Sequence, residues 1–440
     1  MTLKISLFLE NSRAQFAPLP YPKPIQPLIV SRMLRLRTRA FSAASLSGLV
    51  LLGLSILGLS TTAFSQGGAT LSGQTNAGRI PIPAVPFLNF TPDARSAALG
   101  DAGVALTPIG ANSLFWNPSQ LVFLKEDAGV SLSYTPWLRA LGLDDMYLGY
   151  LAGYKKLGKD QVIGLSVNYF DQGRIEFTNN VGTSLGNYYS KEYAVAASYS
   201  RKLFTNFSLG LNLRYINSNL VGNQVINGTA LKPGTTVAGD IGAFYRGNPE
   251  RNTSFNFGLL LSNLGGNVNY GGTGRYPIPT NLKLGTAMTS RLGEFHKLTL
   301  TLDLNKLMVP TPPEYDKTGQ IVRGKLPSST LGGVFGSFAD APDGFGEELK
   351  EWTQSVGAEY WYNDVFAARL GYFNESVMKG NRKYFTAGVG FHYNRLGFDF
   401  AYLFPQSQSA SNALAQTLRL TLSVNFAKGS RVVEPDEEEN

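Results

Sequence analysis

From about residue 128 to residue 426 the chain alternates apolar and polar positions with a period of two. In LRLTLSVNF, Leu418, Leu420, Leu422, Val424 and Phe426 share one side of an extended chain, and Arg419, Thr421, Ser423 and Asn425 share the other. HKLTLTLDLNK sets Leu298, Leu300, Leu302 and Leu304 against Thr299, Thr301, Asp303 and Asn305. FSLGLNLRY sets Phe207, Leu209, Leu211, Leu213 and Tyr215 against Ser208, Gly210, Asn212 and Arg214. Successive side chains of a strand point to opposite faces, so each stretch predicts a strand with one apolar face and one polar or Gly-rich face.

Fourteen such segments follow one another, near 128–136, 145–155, 160–170, 190–201, 205–217, 236–246, 253–263, 280–290, 296–306, 353–362, 365–374, 383–393, 396–404 and 415–426. They are close to the roughly 9 to 11 residues that a tilted strand needs to cross a bilayer, and longer than the 5 to 6 common in soluble sheets. Their connections alternate between tight (KKLGKD, RGNPERN, YND, NRLG) and long, as in DQGRIEFTNNVGTSLGNYYS and residues 307–352. Short turns on one side and long loops on the other mark outer-membrane barrels, with the turns and both termini periplasmic when the strand count is even. A lipid-exposed sheet must also close, because an open edge leaves backbone groups unpaired in hydrocarbon.

The predicted fold class is therefore all-β: a closed 14-stranded antiparallel transmembrane barrel of the outer-membrane type, with a short N-terminal hatch segment in its lumen. Tyrosines such as Tyr134, Tyr154, Tyr169, Tyr199, Tyr215 and Tyr245 fall on the apolar register as an aromatic girdle. Lys283, Arg214, Arg369, Arg419, Asp240, Asp303 and Asp399 fall on the inward register. They read as a paired network inside a filled lumen. A polar inner face is also expected to accept Thr421→Arg more readily than the lipid face accepts Leu420→Arg.

The N-terminal 65 residues carry a different pattern. Arg35, Arg37 and Arg39 precede an apolar run from Leu46 to Leu59 and small residues to Ser65, the layout of a secretory signal peptide. The stretch before Met33 is Pro-rich, so the start is expected at Met33 and cleavage after Ser65. The expected divisions are a leader (1–65), an N-terminal extension with the hatch (66–126), the barrel (127–427) and an acidic periplasmic tail (428–440).

Charge adds little to this picture. The chain is formally +8, but the leader holds seven of its 39 basic residues and one of its 31 acids, which leaves 32 − 30 = +2. No nucleic-acid partner is implied. With no cysteine and only His296 and His392, neither a metal, a cofactor nor a catalytic residue is predicted. Nucleophilic catalysis would need an activated Ser or carboxylate beside a base, and neither His is placed for work on lipid of the outer leaflet.

Two segments stand out as candidate sites. ARSAALGDAGVA and FWNPSQL, with Ala98, Gly100, Asp101, Gly103, Trp116, Asn117 and Pro118, are small-residue and turn-forming words suited to close packing. They predict a hatch over about 93–121 in the periplasmic part of the lumen. VFGSFADAPDGFGEELKEW, in the ninth-to-tenth-strand connection, sets Phe335, Phe338 and Phe345 in a flexible Gly frame. Exposed rings there are candidate anchors for a partner, or a lid folded over the barrel mouth.

AVPFLNFTPDARSAALGDAGVA, ANSLFWNPSQL, GVSLSYTPWLRAL and GSFADAPDGFGEELKE together resemble the PorV family of the type IX secretion system, within the wider FadL-like barrels. The resemblance covers about 84–426. It implies a non-enzymatic outer-membrane protein of a Gram-negative bacterium that sits in outer-membrane lipid. Its implied partners are the large translocon pore, secreted cargo carrying a C-terminal signal domain, and a sortase-like cell-surface attachment complex. The alternatives are a FadL-like transporter of hydrophobic small molecules and an outer-membrane lipid deacylase.

Overall fold

The computed structural model describes residues 80–426 apart from 107–108, 140–141, 179–183, 221, 223–224, 227–228, 316–319, 325–328 and 407–416. The expected leader, with its Met33 start and cleavage after Ser65, and the tail 428–440 lie outside the described residues.

Period-two alternation becomes a cylinder. Among the described residues the barrel strands are β1 (Ala128–Pro136), β2 (Tyr147–Lys156), β3 (Gln161–Thr178), β4 (Ser184–Phe204), β5 (Phe207–Asn219), β6 (Gly234–Tyr245) and β7 (Thr253–Gly265). They continue as β8 (Asn281–Arg291), β9 (His296–Leu307), β10 (Trp352–Tyr362), β11 (Phe366–Asn374), β12 (Lys383–Tyr393), β13 (Leu396–Pro405) and β14 (Leu418–Phe426). Each strand pairs antiparallel with its neighbour in the chain, and β1 pairs with β14 from Ala128↔Phe426 to Tyr134↔Leu420, which closes the sheet. Every predicted strand is present. Leu165, Leu213 and Leu370 lie on the exposed outer face, while Asp303, Glu359 and Arg369 on the alternate register are buried.

Three features differ from the sequence reading. β3 and β4 run 18 and 21 residues. Beyond Asp171, β3 has no β2 partner and pairs with β4 alone, so this hairpin extends past the rest of the sheet on the loop-bearing side. Tyr154 faces the lumen with Leu148, Tyr150 and Ala152, not the lipid. The inner face of β2 is apolar because it packs against Phe115 and Leu114 inside the barrel, so the apolar register there is the inward one. Third, the described residues of the connection 307–352 form paired short strands (Glu314–Tyr315 with Ile321–Arg323) and two short helices, Thr330–Gly336 and Phe345–Lys350. Gly332, Gly333, Gly336 and Gly346 belong to those helices, where a flexible frame was expected.

The N-terminal segment occupies the lumen from end to end, farther than the expected 93–121. Phe87 and Leu88 pack among Trp137, Phe170, Ile216, Val268 and Ile278 toward the loop-bearing end. Phe123 and Leu124 lie at the turn-bearing end, where the Phe123 carbonyl accepts from Arg246 at 3.4 Å. Two four-residue helices, α1 (Ala94–Ala97) and α2 (Ser113–Trp116), form between these ends.

Candidate functional site

The lumen segment is first tied to itself. Asp93 caps α1 by accepting the Ser96 N–H at 2.8 Å on one carboxylate oxygen, and its other oxygen accepts the Trp116 indole N–H at 2.6 Å. One buried carboxylate thus joins the two sequence words. Gly103 lies against the Trp116 ring so closely that a Cβ would stand 2.2 Å from it. Gln120 closes the loop by donating to the carbonyls of Gly103 and Val104 at 3.0 and 2.8 Å.

The segment is then tied to the wall. Asp303 on β9 accepts the N–H groups of Gly103 and Val104 at 2.7 and 2.9 Å. Thr386 on β12 accepts from the Gly100 N–H and Thr421 on β14 from the Ala94 N–H, both at 2.9 Å. Asn117 donates to the Ala243 carbonyl on β6 at 3.0 Å, and Ser200 donates to the Pro118 carbonyl at 2.7 Å. Asp101 accepts from Tyr384 and is paired with Arg419 at 3.3 Å. Buried backbone groups need such partners, and the polar inner face supplies them.

Charge is balanced inside the barrel. Arg95 grips Glu359 through two bonds of 2.7 Å, Arg369 donates to the same carboxylate at 2.7 Å, and Arg369 also reaches Asp399 at 2.7 Å. His392 stands 3.2 Å from Asp399 and edge-on to Trp361. Arg214 pairs with Asp240 at 2.8 Å. Lys283 has its ammonium over the rings of Phe115 and Trp116, 5.2 and 4.8 Å from the centroids. All seven charged residues read from the inward register lie in this interior. Glycines on the same register let the segment approach: at Gly371 a Cβ would fall 2.1 Å from the Gly100 nitrogen.

A second constellation lies at the loop-bearing rim. Lys306, at the end of β9, is fully buried and bonds Glu348 at 3.1 Å and Glu351. Lys379, from the β11–β12 connection, reaches Glu347 at 2.6 Å and Glu351 at 2.8 Å. Thr311 donates its hydroxyl to Glu351 at 2.7 Å and its N–H to Asp340 at 3.0 Å. Asp340, Glu348 and Glu351 bring carboxylate oxygens within 4.8 Å of one another, and the two lysine ammoniums supply the counter-charge. Burial and the neighbouring glutamates push the Asp340 carboxyl up to about 6.

Exposed apolar side chains surround that constellation. Phe345 is 76% exposed, Phe335 57% and Phe338 42%; Phe335 shares the first helix with Leu331, Phe345 shares the second with Leu349, and Phe338 lies between the two. Phe338 also covers the Lys306 ammonium, 5.5 Å from its ring centroid. Phe335 and Phe345 are the more exposed rings, and Phe338 folds back over Lys306.

Sequence reading located the lumen words and the rim phenylalanines. It missed Arg95, Glu359, Lys306 and the 347–351 glutamates as the groups that lock each part in place. Glu359 lies on the inward register of its predicted strand, which was the available signal, whereas Lys306 falls on the register of Leu298 to Leu304 and is buried only because the connection beyond the strand folds over it.

A closed barrel of fourteen strands whose lumen is filled by its own N-terminal segment defines the class: a plugged outer-membrane barrel. A family model described as the type IX secretion system protein PorV matches residues 73–314, and the chain belongs to that family. It is an outer-membrane component of type IX secretion. Among solved structures it is similar to the Ralstonia pickettii toluene transporter TbuX, at 13% identity over 78% of this chain and 99% of that one, with a TM-score of 0.45. It is similar also to a Pseudomonas aeruginosa FadL homologue, at 11% identity over 79% and 100% of the two chains, TM-score 0.43. The Pseudomonas putida toluene transporter TodX gives 14% identity over 74% and 95%, TM-score 0.44. No curated protein matches the sequence.

Proposed function

We propose that this protein acts by binding, as a docking platform: the loop-bearing rim faces the outside of the cell, the tight turns and both termini face the periplasm, and the rim engages the secretion pore and exported cargo. The cargo is recognised by its C-terminal signal domain and passed to a sortase-like attachment complex at the surface. The observation that carries this reading is the rim itself. Exposed aromatic and leucine side chains sit on and between two short helices, the second of which is held by buried lysine–glutamate pairs. Large exposed apolar side chains on a rigid frame are suited to a partner's pocket, at low ordering cost.

The lumen supports binding over transport. Its arginines are paired with Glu359, Asp399, Asp240 and Asp101, while Asp303 holds backbone N–H groups and Lys283 covers two aromatic rings instead of pairing with each other, and its small-residue segment is hydrogen-bonded to β9, β12 and β14. A transporter of hydrophobic molecules would need an apolar path through that space. Lipid deacylation would need a base beside a nucleophile; His392 is engaged by Asp399, and His296 is hydrogen-bonded to the Tyr360 hydroxyl at 2.6 Å.

The test is the triple substitution Phe335→Ser, Phe338→Ser, Phe345→Ser. The barrel is expected to insert normally while cargo display at the surface falls at least tenfold. Normal display from a correctly inserted variant would overturn the rim as the binding site.

A further inference from the structure

The turn-bearing end holds a set of basic side chains that neither the plug nor the rim pairs with a carboxylate. A vestibule of about 430 Å³ opens there between the lumen segment and the wall. Lys125, Arg246, Arg251 and Arg291 line it, and among the described residues no carboxylate lies within ion-pair distance of any of the four. Glu126 and Glu250 line it too, so the unpaired set is +4 against −2. Arg246, one of the lining residues, lies over the Phe123 ring, 5.6 Å from its centroid, and donates to the Phe123 carbonyl at 3.4 Å.

β14 ends at the same vestibule, where Ser423 and Asn425 form part of its lining. The sequence that follows is AKGSRVVEPDEEEN, in which Glu434, Asp436, Glu437, Glu438 and Glu439 come after a neutral or basic lead. β14 and β7 are seven strands apart in a ring of fourteen, so the arginines of the β6–β7 turn and of the end of β8 lie across the mouth from it. Fourteen strands about 4.8 Å apart and tilted about 40° make a barrel roughly 28 Å across. An extended chain covers about 3.3 Å per residue, so the acidic run, eight to thirteen residues past Phe426, reaches about 26–43 Å.

We propose that the acidic run 434–439 of this chain docks in its own vestibule on Arg246, Arg251 and Arg291. An arginine fork donates two N–H groups to one carboxylate, and several such pairs at an aqueous mouth make an attachment that salt weakens. The vestibule is thereby a site for acidic peptide, with the tail as its resident occupant.

Because the chain has no cysteine, a pair of introduced ones reports this directly. The full chain, in nanodiscs of neutral phosphatidylcholine, carries Asn440→Cys with Pro249→Cys, which lines the vestibule, or with Gly158→Cys in the β2–β3 turn. Gly158 lies on the β14 side of the ring, so an undocked tail meets it at least as often. Oxidation is expected to cross-link the Pro249→Cys pair at least fivefold faster than the Gly158→Cys pair. That preference should vanish in 0.5 M salt and in Arg246→Gln, Arg251→Gln, Arg291→Gln. Heat-modifiable mobility confirms that each variant is a folded barrel, and an excess of a synthetic VEPDEEEN peptide should abolish the preference in the folded Pro249→Cys, Asn440→Cys chain, which keeps the test independent of the folding of the glutamine variant. Equal rates for the two pairs, or a preference untouched by salt and by the glutamines, would overturn the proposal. So would its disappearance at moderate salt when phosphatidylglycerol is added, since the arginines would then be lipid sites.

Discussion

Arg95 of the lumen segment and Glu359 of β10 form a two-bond pair, 2.7 Å on each arm, buried inside the barrel. They are 264 positions apart in sequence, and their contact fixes the segment to the wall at a point where Glu359 is fully buried and Arg95 nearly so. Arg369 shares the carboxylate and passes the charge to Asp399.

Breaking this pair leaves a buried charge with one partner fewer. Arg95→Ala is expected to destabilise the protein by about 3 kcal/mol, the low end for a broken buried pair because Arg369 remains. Urea unfolding in detergent measures it. The same variant should show more frequent current openings in planar bilayers than the parent, and an unchanged midpoint with unchanged conductance would contradict the role given to the pair.

The two faces of a strand respond to charge differently from what alternation alone predicts. Leu213 is 65% exposed on the outer face, and Leu213→Arg should cost about 2 to 4 kcal/mol if it lies near the midplane. Thr421→Arg, expected from sequence to be mild, should be as costly. Thr421 is buried, accepts the Ala94 N–H and shares a hydrogen bond with Ser133, so an arginine there displaces the lumen segment. Refolding into lipid vesicles at graded urea compares the two, and a clearly milder Thr421→Arg would indicate a water-filled interior at that level.

Legibility followed the range of the interactions. Leu418 to Phe426 announces its strand because a lipid face and a polar face differ locally, residue by residue. Tyr154 was misassigned for the same reason: its register is apolar, and only the presence of Phe115 inside the barrel makes apolar mean inward. Gly100, Gly103 and Trp116 were readable as packing words, yet their partners Thr386, Asp303 and Asp93 come from folding. The 307–352 connection was read as loose because its glycines suggest it. Lys306, buried at the end of β9, and Lys379, from another connection, order it through long-range charge pairing.

The rim should depend on pH. The Asp340 carboxyl, pushed up to about 6 by burial and by Glu351 and Glu348, holds a proton in the folded rim that an unfolded chain would release between about pH 4 and 6. Rim stability from this group is therefore lost as pH rises through that window. Hydrogen exchange, corrected for intrinsic rate, should show the Ala341 and Gly344 amides better protected at pH 5 than at pH 7.5. Asp340→Asn should flatten the difference, and greater protection at pH 7.5 in the parent would reverse the assignment.

The central claim is that the braced rim is where partners bind, and a photo-activated cross-linker in place of Phe345 tests it most directly. Irradiated in cells that are secreting, position 345 should capture the pore protein or a cargo C-terminal domain, while the same group at lipid-facing Leu165 captures neither. Cross-links from position 345 to lipid alone, or to neither partner in secreting cells, would contradict the account.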